Sequence, residues 1–229
     1  MVGVSYLLRV TLTDRPGRLG LLAVALGDVG ADIHSLEVVE RGPGYAVDDV
    51  VVELASGALP DTLITAAESV DGVHVDSLRP FTGKLDIHQE LELIEAVAAA
   101  TDDPSTGLGN HRLQVLADLA PRSLNASWAM VITSTGDEAV LLGASGGAPE
   151  TLLTRADWIP LPAACGIDPN ADWIPAAWRE HDTLLAAAPL GDGTKALLLG
   201  RIGGPDFRPS EVMRLGHLAG ILSGLIHSH

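Results

Sequence analysis

The sequence predicts an α+β chain made of two units, and three observations carry that prediction. Between Tyr6 and Leu78, apolar alternation and helical spacing succeed one another in the order β-α-β-β-α-β. Beyond Gly83, two hairpin signals are flanked by helical runs and separated by a long crossing rich in Gly and Pro. With 229 residues, 47% of them hydrophobic, the chain has enough length and apolar mass for two cores. Aromatic residues are only 3% of it, so Ala, Val, Leu and Gly must do most of the packing.

In chain order, Tyr6, Leu8, Val10 and Leu12 alternate with Leu7, Arg9 and Thr11, which gives a strand with one strongly apolar face. Asp14-Arg15-Pro16-Gly17 then turns the chain, with Pro16 suited to a first helical position because its missing N–H has no partner there anyway. Leu19, Leu22, Ala23, Leu26 and Val29 follow helical spacing, and Gly30 stops the helix. Ile33 to Glu40 reads as a strand, Arg41-Gly42-Pro43-Gly44 as a hairpin turn, and Val47 to Leu54 as the next strand. A helix over Pro60 to Ser69 and a strand over Val73 to Leu78 complete a ferredoxin-like unit. Right-handed crossovers put both of its helices on one face of a four-stranded antiparallel sheet.

Arg79 to Gly83 reads as a linker. After it come helices over Leu85 to Ala100, with Ile87, Leu91, Ile94, Val97 and Ala98 on one side, and over Arg112 to Leu119. Ser127 to Thr133 and Glu138 to Ala144 form a hairpin around Ser134-Thr135-Gly136-Asp137. Ser145 to Arg179 is the crossing, with one or two short helices and a single repeat, Ala156-Asp157-Trp158-Ile159-Pro160 against Ala171-Asp172-Trp173-Ile174-Pro175. Thr183 to Pro189 and Lys195 to Ile202 form a second hairpin around Gly191-Asp192-Gly193. Pro209 to Ile226 closes the chain as an apolar helix with Ser210 as its N-cap.

The strand-turn-helix at Asp14 to Leu19 is the stretch with the clearest binding chemistry. A helix start exposes backbone N–H groups, and the helix dipole adds positive potential, so an anion is favoured there. The turn Asp14-Arg15-Pro16-Gly17, followed by Leu19 and by Gly30-Ala31-Asp32-Ile33, resembles the start of an ACT domain, the small amino-acid-binding module of metabolic regulation. The resemblance covers residues 4 to about 81 and implies a carboxylate held near Gly17, Arg18 and Leu19, with Asp14, Arg15 and Pro16 shaping the turn. It also implies an ammonium group on Asp32, beside Ile33 and with His34 tuning selectivity, at a site shared by two subunits. The element order of residues 84–229 and the closing helix resemble a GAF domain. That region lacks the Asn-Lys-x-Phe-Asp-Glu pattern of cyclic-nucleotide-binding members, and its ligand is unassigned. The expected domains are therefore 1–81, binding an amino acid, and 84–229, sensing or dimerising.

Three of the four tryptophans, Trp158, Trp173 and Trp178, fall in the crossing, where they either plug the core or line a second pocket for a small molecule or peptide. Gly143-Ala144-Ser145-Gly146-Gly147 formally matches a nucleophile elbow, with His181 as a base. The elbow needs a parallel strand before it and a helix after it, however, and Gly146 to Pro149 opens a helix poorly. Cys165 reads as an inert thiol, and His227 and His229 as solvated. No metal-ligand spacing, Walker A run or Gly-x-Gly-x-x-Gly pattern occurs, so no metal or cofactor is expected.

A net charge of −16, shared by both halves, argues against nucleic acid and anionic membranes. The sequence has no membrane-spanning run, no signal-peptide pattern and a single cysteine, which together favour the cytoplasm. The expectation is a non-enzymatic regulatory homodimer. The alternatives are an interaction module without a ligand and a hydrolase using Ser145.

Overall fold

The computed structural model describes residues 4–81, 88–102, 110–151 and 153–226, and the chain divides between residues 85 and 86 into two compact units. The first contains β1 (Val4–Thr13), α1 (Arg18–Asp28), β2 (Asp32–Gly42), β3 (Tyr45–Leu54), α2 (Asp61–Glu68) and β4 (Val73–Pro80). Its sheet is antiparallel throughout in the order β2-β3-β1-β4, so β2 and β4 are its edges. Leu8, Val10 and Leu12 of β1 and Ala46, Val50, Val52 and Leu54 of β3 share one face with Leu22 and Leu26 of α1 and Leu63, Ala66 and Ala67 of α2. The other face carries buried Leu7, Val47 and Val51 around a bidentate Arg9–Asp49 pair.

The buried side of α1 is narrower than its spacing suggests. Leu22 and Leu26 are buried, whereas Leu19, Ala23 and Val29 are exposed, as are Leu21 and Val24. The helix also starts later than expected: Gly17 is the N-cap, in a left-handed conformation with φ +89°, and Pro16 stays in the turn. Gly30 ends it as expected, at φ +77°, its N–H donating to the Gly27 carbonyl.

The second unit contains α3 (Gln89–Ala99), α4 (His111–Ser123), β5 (Trp128–Thr135), β6 (Glu138–Ala144), β7 (Cys165–Ile167), α5 (Ala176–Glu180), β8 (Thr183–Leu190), β9 (Lys195–Ile202) and α6 (Pro209–Ile226). Its antiparallel sheet runs β6-β5-β9-β8-β7. Helices α3, α4 and α6 cover one face, over Ala129, Val131, Ala186, Ala188, Leu197 and Leu199. The crossing covers the other, setting Leu153, Ala156, Ile159, Ile174 and Trp178 against Trp128, Met130, Ile132, Leu185 and Leu198. Both faces of β5, β8 and β9 are thus buried, which is why these strands read as nearly unbroken apolar runs.

Three expectations for this unit need correction. In α3 the buried side is Leu93 and Val97, while Leu91 and Ala98 are exposed; Ile87 lies outside the described residues. Helix α4 continues through Pro121 to Ser123. Ser210 lies inside α6 rather than capping it, and Glu211 takes the capping role by accepting the Arg208 N–H at 2.9 Å. Among the described residues, no helix is long and apolar enough to cross a membrane.

Candidate functional site

Three loops meet at the end of the first sheet where β1 finishes. The Asp14 N–H donates to the Gly44 carbonyl and the Thr13 N–H to the Gly72 carbonyl, which ties the turn to the β2–β3 hairpin and to the loop before β4. Side chains repeat the ties, Arg41 pairing with Asp14 at 3.5 Å and Arg18 with Asp71 at 3.0 Å. Inside the turn, the Arg18 N–H donates to the Arg15 carbonyl and the Leu21 N–H to the Gly17 carbonyl. Among the described residues the N–H groups of Gly17, Leu19 and Gly20 find no acceptor, and the first turn of α1 has neither a side-chain cap nor an acidic residue. Unpaired donors at the positive end of a helix dipole are the groups an anion would meet at a helix start.

The residues expected to complete that site lie elsewhere in the same chain. Asp32 pairs in register with Glu53, and Glu53 with Ser5 near the start of β1, whereas the turn follows Thr13 at the other end of that strand. Eight residues of strand separate the two positions, or about 26 Å. Asp32 and His34 instead form an exposed cluster with Glu53, His34 lying 3.5 Å from Glu53 and 4.0 Å from Asp32, while the neighbouring Ile33 packs on the core.

One charged residue near the turn escapes the sequence reading. Asp48, in the middle of β3, is only 1% exposed, and neither of its carboxylate oxygens has a hydrogen-bond partner. Burial pushes its carboxyl above the usual range, Arg41 opposes that shift, and Asp49 and Asp14 add to it. The signal was present in the sequence, since Asp48-Asp49 interrupts an apolar strand where charge is costly.

In the second unit the three tryptophans of the crossing divide. Trp178 is buried, meets Trp128 edge-on at 4.9 Å and donates its indole N–H to the Thr151 carbonyl. Trp158 and Trp173 stack on each other at 5.0 Å, half-buried at the margin of the same core. A separate open concavity beside α6 is lined by Ala164, Gly166, Phe207, Pro209, Val212 and Met213.

Ser145 follows the edge strand β6, and its Oγ accepts the Ala129 N–H at 3.0 Å. His181 ends α5 just before β8, three strand positions away across the sheet, or about 14 Å, so the elbow geometry is not formed. Cys165 opens β7, where burial pushes its thiol up. Among the described residues no group of three or more His, Cys, Asp or Glu side chains is arranged to hold a metal.

No family model matches the chain, and no curated protein matches it. Among solved structures it is similar to an unknown protein from Galdieria sulphuraria, at 21% identity and a TM-score of 0.32, over 43% of this chain. The chain spans 64% of that protein's length. It is also similar to the GAF domain of the Acinetobacter phosphoenolpyruvate-protein phosphotransferase, at 12% identity and a TM-score of 0.46, over 63% of this chain and 94% of that one. A third similarity is to the chromophore-binding domain of a bacteriophytochrome from Stigmatella aurantiaca, at 10% identity and a TM-score of 0.46, over 83% of this chain and 68% of that one.

Proposed function

We propose that the chain is a non-enzymatic cytoplasmic regulator whose first unit, ACT-like and ferredoxin-like in arrangement, binds a small amino acid. The observation that carries this reading is the set of unpaired N–H groups of Gly17, Leu19 and Gly20 at the start of α1. These donors suit a carboxylate, the anionic group of an amino acid.

A homodimer is part of the proposal. Edge strand β2 exposes Leu36 and Val38, and α1 exposes Leu21 and Val24, so a second copy laid along this side would cover both an open strand edge and an apolar helix face. In that arrangement Asp32 of one protomer approaches the turn of the other. A ligand held across the two would favour the joined state by its differential affinity for it, and by no more. The second unit, GAF-like, takes a second small molecule or a partner and relays the state of the first.

Thermal-shift measurements on the full chain with each of the twenty amino acids at millimolar concentration test the reading. Stabilisation by one or a few of them is expected, and a flat response to all twenty overturns it. The exposed apolar surface of α1 and β2 also favours a second reading, a dimerisation module without a ligand. That reading requires the flat response together with a stable dimer by light scattering.

A further inference from the structure

The repeat in the crossing, Ala156 to Pro160 against Ala171 to Pro175, is a repeat of structure as well as of sequence. In each copy the Ile N–H donates to the Ala carbonyl three residues back at 3.0 Å, which closes a turn with Asp and Trp at its tip. Ile159 and Ile174 anchor the two turns in one core, while Asp157 and Asp172 are both exposed. The tips meet, Trp158 stacking on Trp173 with ring centroids 5.0 Å apart and planes 24° from parallel.

The copies differ in how the carboxylate is met. Two residues before Asp157 stands Arg155, whose guanidinium donates to the Asp157 carboxylate. The same place before Asp172 is taken by Asn170, whose backbone and side-chain N–H groups donate to Asp168 instead. Among the described residues the Asp172 carboxylate has no hydrogen bond and no ion pair. An exposed carboxylate alone is ordinary. This one stands on a turn whose twin already holds a guanidinium, next in sequence to a half-buried indole.

We infer that the second turn binds a guanidinium group from another molecule, as the first turn binds that of Arg155. Asp172 accepts its N–H groups, and Trp173, held in orientation by the stack with Trp158, offers it an aromatic surface. A guanidinium suits this pair better than an ammonium does. It is planar and weakly hydrated, donates through a fork that matches a carboxylate, and stacks on an indole. The chain's net charge of −16 draws cations toward it. The inference rests on the reading of the second unit as one that takes a small molecule or a partner, and it names the chemistry: an arginine side chain, free or in a polypeptide. It does not depend on the amino-acid site of the first unit.

The test follows tryptophan emission of the full chain, since all four tryptophans lie in the second unit. The probes are L-arginine, L-lysine, L-citrulline, which has no positive charge on its side chain, and the capped tripeptide acetyl-Gly-Arg-Gly-amide. A surface carboxylate beside one indole binds weakly, so the parent should respond to arginine at millimolar concentration. It should prefer arginine to citrulline by about 10-fold, and Asp172→Asn should lose that preference. Asn170→Arg gives the second copy the arginine of the first, so Asp172 is filled from within the chain and arginine should bind about 10-fold more weakly.

Binding by Asp172→Asn or by Asn170→Arg that equals the parent's overturns the inference. An equal response to citrulline or lysine overturns the guanidinium chemistry and leaves the second unit as a binding domain, whereas silence to every probe overturns both. Tighter binding of the capped tripeptide than of arginine assigns the group to a polypeptide, and the reverse assigns it to a free small molecule. Stabilisation by an amino acid without a change in emission belongs to the first unit, which has no tryptophan, and leaves that reading standing. Positions 170 and 172 are both exposed, so the two variants should melt with the parent, and melting curves separate misfolding from lost binding.

Discussion

In the second unit, Arg201 is fully buried, yet its guanidinium donates to the carbonyls of Asn125 and Pro205 and to Glu211, and it lies 4.0 Å over the Phe207 ring. Arg112, almost as buried, donates to the carbonyls of Ala100 and Leu225 and so ties α3 and α6 to α4. In the first unit, Arg9 and Asp49 satisfy each other in the same way, but Asp48 beside them does not, and the α1 start leaves three donors unpaired. Buried charge with partners fixes how elements pack. Unpartnered polar groups do not fix packing in this way, and exposed donors of that kind are what a ligand can use.

The largest test of that contrast is Arg201→Ala. It strands Glu211 and two carbonyls, and should cost about 3–5 kcal/mol. All four tryptophans lie in the second unit, so urea unfolding followed by tryptophan fluorescence reads it directly; an unmoved midpoint would break the comparison. Gly200→Ala comes next. A Cβ there would meet the Trp128 ring at 2.0 Å, and repacking around that core should cost about 1–3 kcal/mol by the same measurement.

In the first unit Gly17→Ala should cost about 1–2 kcal/mol through backbone strain alone, because φ is +89° and nothing stands within 4 Å of the added Cβ. Far-UV circular dichroism should register the loss without any change in tryptophan emission, and a matching change in emission would contradict it.

The smallest effect has the opposite sign. Burial holds the folded Asp48 carboxyl above the usual carboxylate value, so its proton is favoured in the folded state. At low pH the group is neutral whether folded or unfolded and costs nothing. As pH rises through the raised folded value, the fold must accept a buried charge and loses stability. Asp48→Asn never ionises, so it should stabilise the chain by about 1 kcal/mol at pH 7, and the advantage should fade toward pH 4. A variant no more stable than the parent at pH 7 would mean that Asp48 is already satisfied.

Strand and helix periods, the hairpins at Arg41 to Gly44, Ser134 to Asp137 and Gly191 to Gly193, and the stop at Gly30 were all legible from residue order. Each depends on neighbours within a few positions. The strand-to-helix turn before α1 was legible for the same reason, although the helix begins after Gly17 rather than at Pro16. The strand β7, three residues long inside the crossing, left no periodic signal to read.

What only the tertiary structure decided depends on cross-strand partners and sheet order, which are set by residues distant in sequence. Consecutive residues of a strand face opposite sides, so Asp49 meets Arg9 while Asp48 lies between Val10 and Val38. Strand order likewise sends Asp32 to the far end of the sheet from the turn at Asp14 to Leu19, although one helix is all that separates them in sequence. Local periodicity thus determined which elements form, because it depends on neighbours a few residues away. Register and strand order determined which carboxylates are paired and which are buried alone, because those partners are distant in sequence.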